Sequence, residues 1–419
     1  MSSATESYDV VVVGAGAVGV ATAYSLAGAG ASVLVVDRGA RVASECSRGN
    51  AGLIAPSHSV PLAGPGVPRQ LLRSIVSRED ALRVRPRLSP ALARFGWRFL
   101  RASTAERRAA GIRTLGALNM RSAAMFGELA GAGLDFGYEA AGAITACRTA
   151  ERFEHLRGDV QLFQSAGVRM EILTAERLAE VLPGRELAGG ALFPDDAHCE
   201  PDRFVAALAA AACDLGATFR MATRVTGLPS GRGDTVRAVE TDSGTVAAES
   251  VVLAGGADTP ELARMIGASL PVEAAVGHHV ELPGACPQLE IPLILEEANL
   301  AVTPLRGRLR LAGGVDFGGP VRAPDDHQAA NIVGKAAGYL SGIDTAEIAG
   351  RWAGARPFSP DDIPIVGRSS HRGNLIYATG HAMRGLTLAP VTGLIVRDLL
   401  AGSASDLPVD ELTPTRFGA

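Results

Sequence analysis

Gly14, Gly16 and Gly19 stand in a G-x-G-x-x-G spacing directly after the β-branched run Val10–Val13. Glycines so placed do three jobs: the first turns the chain tightly, the second admits a pyrophosphate to the backbone, and the third lets helix and strand touch. The helix that begins near Ala17 and Val18 offers unpaired N–H groups and its positive end to phosphate oxygens. Asp37 closes a second β-branched run, Val33–Val36, and lies 18 residues past Gly19, where a carboxylate accepts hydrogen bonds from ribose hydroxyls; Arg38 follows it. Strand, glycine turn, helix, strand and terminal acid in that order imply a dinucleotide site. The motif alone leaves FAD and NAD both open.

Other groups able to do chemistry are fewer. His58, His278, His279 and His381 are candidate polar site residues. No carboxylate–histidine cluster has metal-ligand spacing, and no serine sits in a G-x-S-x-G turn, so neither a metal site nor a nucleophilic serine is expected.

The elements that must position the dinucleotide recur along the chain. An alanine-rich helix from Arg203–Phe204 to Leu215 precedes strands at Thr218–Met221 and Val251–Leu253. A strand at Leu375–Gly380 ends in a glycine turn and leads to a helix from Pro390 to Leu400, stopped by Gly402. A strand returning to the adenine ahead of Val225, the turn Ala254-Gly255-Gly256, and a C-terminal glycine turn feeding a helix suit FAD better than NAD. Between these regions, Pro86–Gly133 carries apolar residues at helical spacing (Leu115, Leu118, Met125, Leu129), and Val272–Leu311 alternates like antiparallel strands.

The chain has 419 residues, 47% of them hydrophobic, enough for two substantial cores. With 40 basic and 44 acidic side chains the net charge is −4, which argues against a nucleic-acid partner. A local basic run (Arg69, Arg73, Arg78, Arg83, Arg85, Arg87, Arg94, Arg98, Arg101, Arg113) reads first as a solvated helical surface and second as a face for anionic lipid or an acidic partner. Five scattered cysteines (Cys46, Cys147, Cys199, Cys213, Cys286) without a C-x-x-C pair suggest a reduced, intracellular protein. Met1–Tyr8 lacks the layout of a signal peptide, and the uncharged stretch Val10–Val36 is broken by its glycines into strand, helix and strand rather than one membrane span.

Ser47 with Arg48-Gly49-Asn50-Ala51-Gly52 resembles the S-x-x-N-A-G stretch of bacterial D-amino-acid dehydrogenases, and Ala63–Pro68 resembles their A-P-G-V-P run. Trp352-Ala353-Gly354-Ala355-Arg356-Pro357 and Pro360–Gly367 resemble the W-x-G-x-R-P and P-D-x-x-P-I-x-G signatures shared with glycine oxidases; Gly380–Pro390 completes the pattern. The resemblance, to the D-amino-acid oxidase superfamily, covers essentially the whole chain. It implies an α/β fold with a Rossmann-type FAD-binding domain and a discontinuous α+β substrate domain carrying a mixed or antiparallel sheet.

It also implies FAD-dependent oxidation of the C–N bond of a small amino acid, a D-amino acid with D-proline or D-hydroxyproline as a subset, giving an imino acid and then a 2-oxo acid. Arg356 matches the arginine that grips the substrate carboxylate. Asn50, Ala51, Gly52 and the adjoining Leu53 would lie beside the isoalloxazine. Gly380, His381, Gly385, Leu386 and Thr387 would form the turn and helix entry at the flavin. Glycine oxidases have Arg-Asn where this chain has Met383-Arg384, so Arg384 is a displaced catalytic candidate. Covalent attachment in sarcosine-oxidase relatives uses a cysteine near the Pro-Asp stretch; Gly354–Asp361 has none, so the FAD is expected to be non-covalent.

Residues 1–60, 190–265 and 345–419 are expected to form the FAD-binding domain, and 61–189 with 266–344 the substrate domain. Quinone or oxygen is the expected electron acceptor. Cytoplasmic location, peripheral contact with the inner face of the plasma membrane, and homo- or hetero-oligomerisation complete the expectations. The alternatives are a glycine- or sarcosine-type oxidase and a non-catalytic flavin-bound subunit of a larger dehydrogenase.

Overall fold

A computed structural model describes residues 6–66, 82–85, 89–231, 233–284, 289–319 and 321–418. Val67, Pro68, Arg69, Arg73, Arg78, Arg87, Arg232 and Cys286 lie outside these residues.

The opening strand Ser7–Val13 is flanked in parallel by Val33–Val36 on one side and by the end of Gly244–Leu253 on the other. Outward from these, Leu34–Val36 pairs in parallel with Thr218–Arg220, and Val251–Leu253 with Leu375–Tyr377. Uninterrupted β-branched runs suit this place because both faces are covered. Val10, Val12, Val33 and Val35 join one core with the helices Ala17–Gly28, Pro201–Asp214 and Ala389–Ala401, while Val11, Val13, Leu34 and Val36 join a second core on the opposite face. The strand Ile365–Arg368 closes this sheet antiparallel to Leu375–Thr379.

All the parallel strands end at one edge. Gly14, Asp37, Ala254 and Gly380 each follow the last residue of a different strand there. This is where an open α/β sheet holds its ligand.

A second, nine-stranded sheet is mostly antiparallel, in the order Gly350–Phe358, Glu273–Pro283, Arg308–Phe317, Leu300–Leu305, Leu293–Leu295, Ala143–Cys147, Gly189–Phe193 and Glu171–Thr174; Leu82–Val84 runs along Val315–Phe317. The helix Asp326–Ala337 covers it, with Ala329, Val333 and Ala336 in a third core against Val280, Leu282 and Leu311.

Three sequence expectations shift. Residues 190–193 of the strand Gly189–Phe193, and Gly350–Phe358, given to the nucleotide-binding portion, pair inside the second sheet. The helix Ala105–Gly131, given to the substrate portion, places Leu115, Leu118, Phe126 and Leu129 in the first core. Chain order and packing partner therefore diverge where the segments interleave. No helix among the described residues is long and apolar enough to cross a membrane, and Val10–Val36 folds as strand, helix and strand.

Candidate active site

The glycine turn is built by close approach. Gly14 has φ +117°, and a Cβ there would fall 2.5 Å from the Ala254 carbonyl oxygen. A Cβ on Gly19 would lie 1.9 Å from the Gly14 carbonyl oxygen, so strand and helix touch through bare backbone. The carboxylate of Asp37 braces the turn: it accepts from the Ala15 N–H at 2.7 Å and from the Gly39 N–H at 2.6 Å. Ser47 Oγ reaches from the next loop to accept the Ala17 N–H at 2.9 Å.

A cleft of about 460 Å³ opens over this edge. Its lining brings together Gly14, Gly16, Ala17, Val18, Asp37, Arg38, Ser47, Asn50, Val225, Ala254 and Gly255 with Arg356, His381, Gly385 and Leu386. Gly19, Ala51, Gly52, Leu53, Gly380, Arg384 and Thr387 do not line it. Most of these act from behind. Gly52, at φ +88°, approaches the Cys199 carbonyl so closely that a Cβ would sit 2.6 Å from its oxygen. Thr387 Oγ1 donates to the Leu53 carbonyl at 3.1 Å, tying the helix entry to the short strand Leu53–Ile54. At Gly380 the backbone turns with φ +74°.

Arg356 enters from the second sheet, on the strand Gly350–Phe358, where it pairs with Ala275. Its Nη1 donates to the Gly314 carbonyl at 2.9 Å. The guanidinium lies where a side chain on Gly277 would be, with Cζ 2.2 Å from an added Cβ, so Gly277 is the vacancy that seats it. Burial pulls the Arg356 pKa down, and nearby Cys46, another cleft residue, opposes this. A largely desolvated guanidinium beside a cleft is a strong carboxylate receptor.

His381 is buried, and its Nε2 lies 3.0 Å from Thr392 Oγ1. Thr392 Oγ1 donates to the Leu388 carbonyl, leaving Nε2–H of His381 as the donor in that pair. Burial, helped by Arg384, pushes its pKa down to about 3, so the ring is neutral and cannot act as a general acid at ordinary pH. Arg384 itself is turned away from the cleft: Nη2 meets Asp362 Oδ2 at 2.8 Å, and both side chains are 2% exposed. Asp362 Oδ2 also accepts the Leu62 N–H at 2.8 Å. The placement that was expected to bring Arg384 to substrate instead makes it half of a buried ion pair.

Several cleft residues were not anticipated. Asp258, which meets the expected Arg38 at 2.7 Å, and Glu45, Thr223, Arg224 and Val321 are among them. Thr223 N–H donates to the Asp37 carbonyl at 2.8 Å, a link set by the strand Thr218–Arg220 and invisible to motif spacing. His278 and His279 sit on the Arg356-pairing strand, His279 buried with its pKa lowered to about 4 by burial and by Arg310. Among the described residues no group of three or more His, Cys, Asp or Glu side chains is arranged to hold a metal.

The cleft fits a dinucleotide: bare backbone at the glycine turn, a braced acid at the second strand end, and a wall of small residues running on to Arg356. Comparison with known proteins agrees. A family model described as FAD dependent oxidoreductase (DAO) matches residues 9–399. A D-amino acid dehydrogenase of Paramagnetospirillum magneticum is 36% identical, covering 97% of this chain and 98% of its own. One from Rhizobium rhizogenes is 30% identical over 98% of this chain and all of its own. Glycine oxidase from Geobacillus kaustophilus superposes with a TM-score of 0.80 at 26% identity, covering 98% and 99% of the two chains. L-Proline dehydrogenase from P. horikoshii shares the fold, with a TM-score of 0.79 at 20% identity over 99% and 98%. A cleft that joins a phosphate-cradling turn to a seated guanidinium, in a chain matched from residue 9 to residue 399, makes this protein a member of the DAO family of FAD-dependent oxidoreductases.

Proposed function

We propose that the chain oxidises small D-amino acids, with Arg356 holding the substrate carboxylate. The observation that carries this reading is that Arg356 and the glycine turn, some 340 residues apart in sequence, line one cleft. Two N–H groups of the guanidinium meet two carboxylate oxygens and fix the Cα–H in one direction. Bound FAD supplies the hydride acceptor. The protein positions and desolvates: neutral His381 and the small residues Ala355, Gly385 and Ala382 exclude water and leave room for the ring. Loss of a hydride from Cα and a proton from nitrogen gives the imino acid, which water hydrolyses to a 2-oxo acid and ammonia. Gly14, Gly16, Ala17 and Val18 would hold the pyrophosphate, Asp37 the ribose, and Ser47, Asn50 and Ala51 the flavin side. The names of the full-length relatives favour a dehydrogenase over an oxidase, and a quinone is the acceptor proposed with that reading.

Anaerobic mixing of the FAD-loaded protein with a panel of D- and L-amino acids tests the substrate class. Bleaching of the flavin band by D-enantiomers alone is expected, and bleaching only by L-enantiomers, glycine or sarcosine would redirect it. Hydrogen peroxide yield against dye reduction then separates the acceptors.

A further inference from the structure

The loop Ser47–Gly52 runs along the second sheet, and three consecutive carbonyls are held from the sheet side. Arg310 Nη1 donates to Arg48 O at 3.2 Å and to Asn50 O at 2.6 Å. His279 Nδ1 lies 3.0 Å from Gly49 O; since a carbonyl only accepts, Nδ1 carries the proton. Arg310 is 4% exposed and gripped by Glu281, Nη2 to Oε1 at 2.6 Å. Glu281 also meets Arg308 at 3.2 Å, and Arg308 meets Glu200 at 2.7 Å, so alternating charges back the clamp. Trp352 stacks on His279 with ring centroids 5.2 Å apart and occupies the space a Gly49 side chain would need.

In a trans peptide the C=O of one residue and the N–H of the next point in opposite directions. Anchoring the carbonyls of Arg48, Gly49 and Asn50 to the sheet therefore turns the N–H groups of Gly49, Asn50 and Ala51 the other way. Ser47 O takes the Asn50 N–H at 3.3 Å. Those of Gly49 and Ala51 have no protein acceptor among the described residues; neither residue lines the cleft itself, but Asn50 between them does. We propose that Arg310, assisted by His279, is a positioning residue that aims these two N–H groups at bound flavin and so raises its reduction potential. Fixed donors favour the more negative, reduced form and cost no reorganisation when charge arrives. This rests on the cleft being the FAD site and is independent of which amino acid is oxidised.

The test is a reductive titration of FAD-loaded wild-type, Arg310→Met and Arg310→Lys proteins with a chemical reductant and a reference dye. Arg310→Met is expected to lower the reduction equilibrium constant at least ten-fold, about 30 mV for a two-electron couple, and to weaken FAD binding at least ten-fold. Arg310→Lys keeps the charge without the fork, and its potential should fall between the two. A purely structural role would lower the melting temperature and leave the potential of retained FAD alone. Wild-type potential in either variant overturns the proposal; the lysine variant carries the test if the methionine variant does not fold. Because the titration uses no amino acid, a wrong substrate assignment leaves its outcome untouched.

Discussion

Arg356 and Arg384 illustrate how placement, rather than residue type, assigns a role. Arg356 has a single protein acceptor among the described residues, the Gly314 carbonyl, and borders the cleft, so most of its donors are available to a ligand. Arg356→Ala should raise KM roughly a hundred-fold, the loss of about 3 kcal/mol of charge-assisted hydrogen bonding, while FAD stays bound; Arg356→Lys should recover only part. Steady-state kinetics with flavin absorbance measure both. Arg384 is spent on Asp362 in the interior. Arg384→Met leaves a buried carboxylate unpaired and should cost about 3–5 kcal/mol of stability, read as a large fall in melting temperature; unchanged melting would show that the pair is not structural.

The buried imidazoles give a pH prediction at the same scale. His381 is lowered to about 3, and His58 and His279 to about 4, all chiefly by burial. These rings are already neutral at pH 6, so none titrates between pH 6 and 9. The rate of flavin reduction should rise with pH on a single limb as the substrate amine loses its proton. A second inflection that disappears in His381→Gln would contradict this.

At the scale of elements, two glycines decide what the strands can deliver. Gly19→Ala puts a Cβ into the Gly14 carbonyl and must separate helix Ala17–Gly28 from its strand, so FAD binding should be lost. Gly277→Ala instead pushes on the Arg356 guanidinium; KM should rise as in Arg356→Ala while FAD affinity holds, which equilibrium flavin binding and kinetics together would show. The contrast also marks what was readable from sequence. Val10–Val13, Val33–Val36, Val251–Leu253 and Leu375–Thr379 announced themselves because strands buried on both faces demand unbroken apolar runs. Ala143–Cys147, Glu171–Thr174 and Gly189–Phe193 did not: they are short, rich in small or mixed residues, and take partners from distant segments. Arg310, between Leu309 and Leu311, reads as the solvent side of an alternating strand. Its burial against loop carbonyls comes from tertiary packing that no local pattern records.

Across the whole molecule, the two sheets are bound together by the loops that shape the cleft. Away from the cleft, Ser57 on the turn Pro56–Ser59 donates from both its N–H and its hydroxyl to the buried carboxylate of Asp196, just past Gly189–Phe193, at 2.9 and 2.5 Å. Burial dominates over these bonds and raises the Asp196 pKa to about 7. The sign follows: the folded state holds this proton more tightly than the unfolded chain, so the contribution is full below about pH 4 and is lost as pH rises towards 7. Melting temperature should therefore decline across that window relative to Asp196→Asn, whose side chain does not titrate; parallel curves would remove Asp196 as the cause.

The convergence of the two ends of the chain on one flavin is tested most directly by a crystal structure of the protein with FAD and a small carboxylate inhibitor. The pyrophosphate should lie on Gly14–Ala17, and the inhibitor carboxylate should take two hydrogen bonds of about 2.7–3.2 Å from Arg356 beside the isoalloxazine. An isoalloxazine remote from Arg356, or a carboxylate held elsewhere, would contradict it.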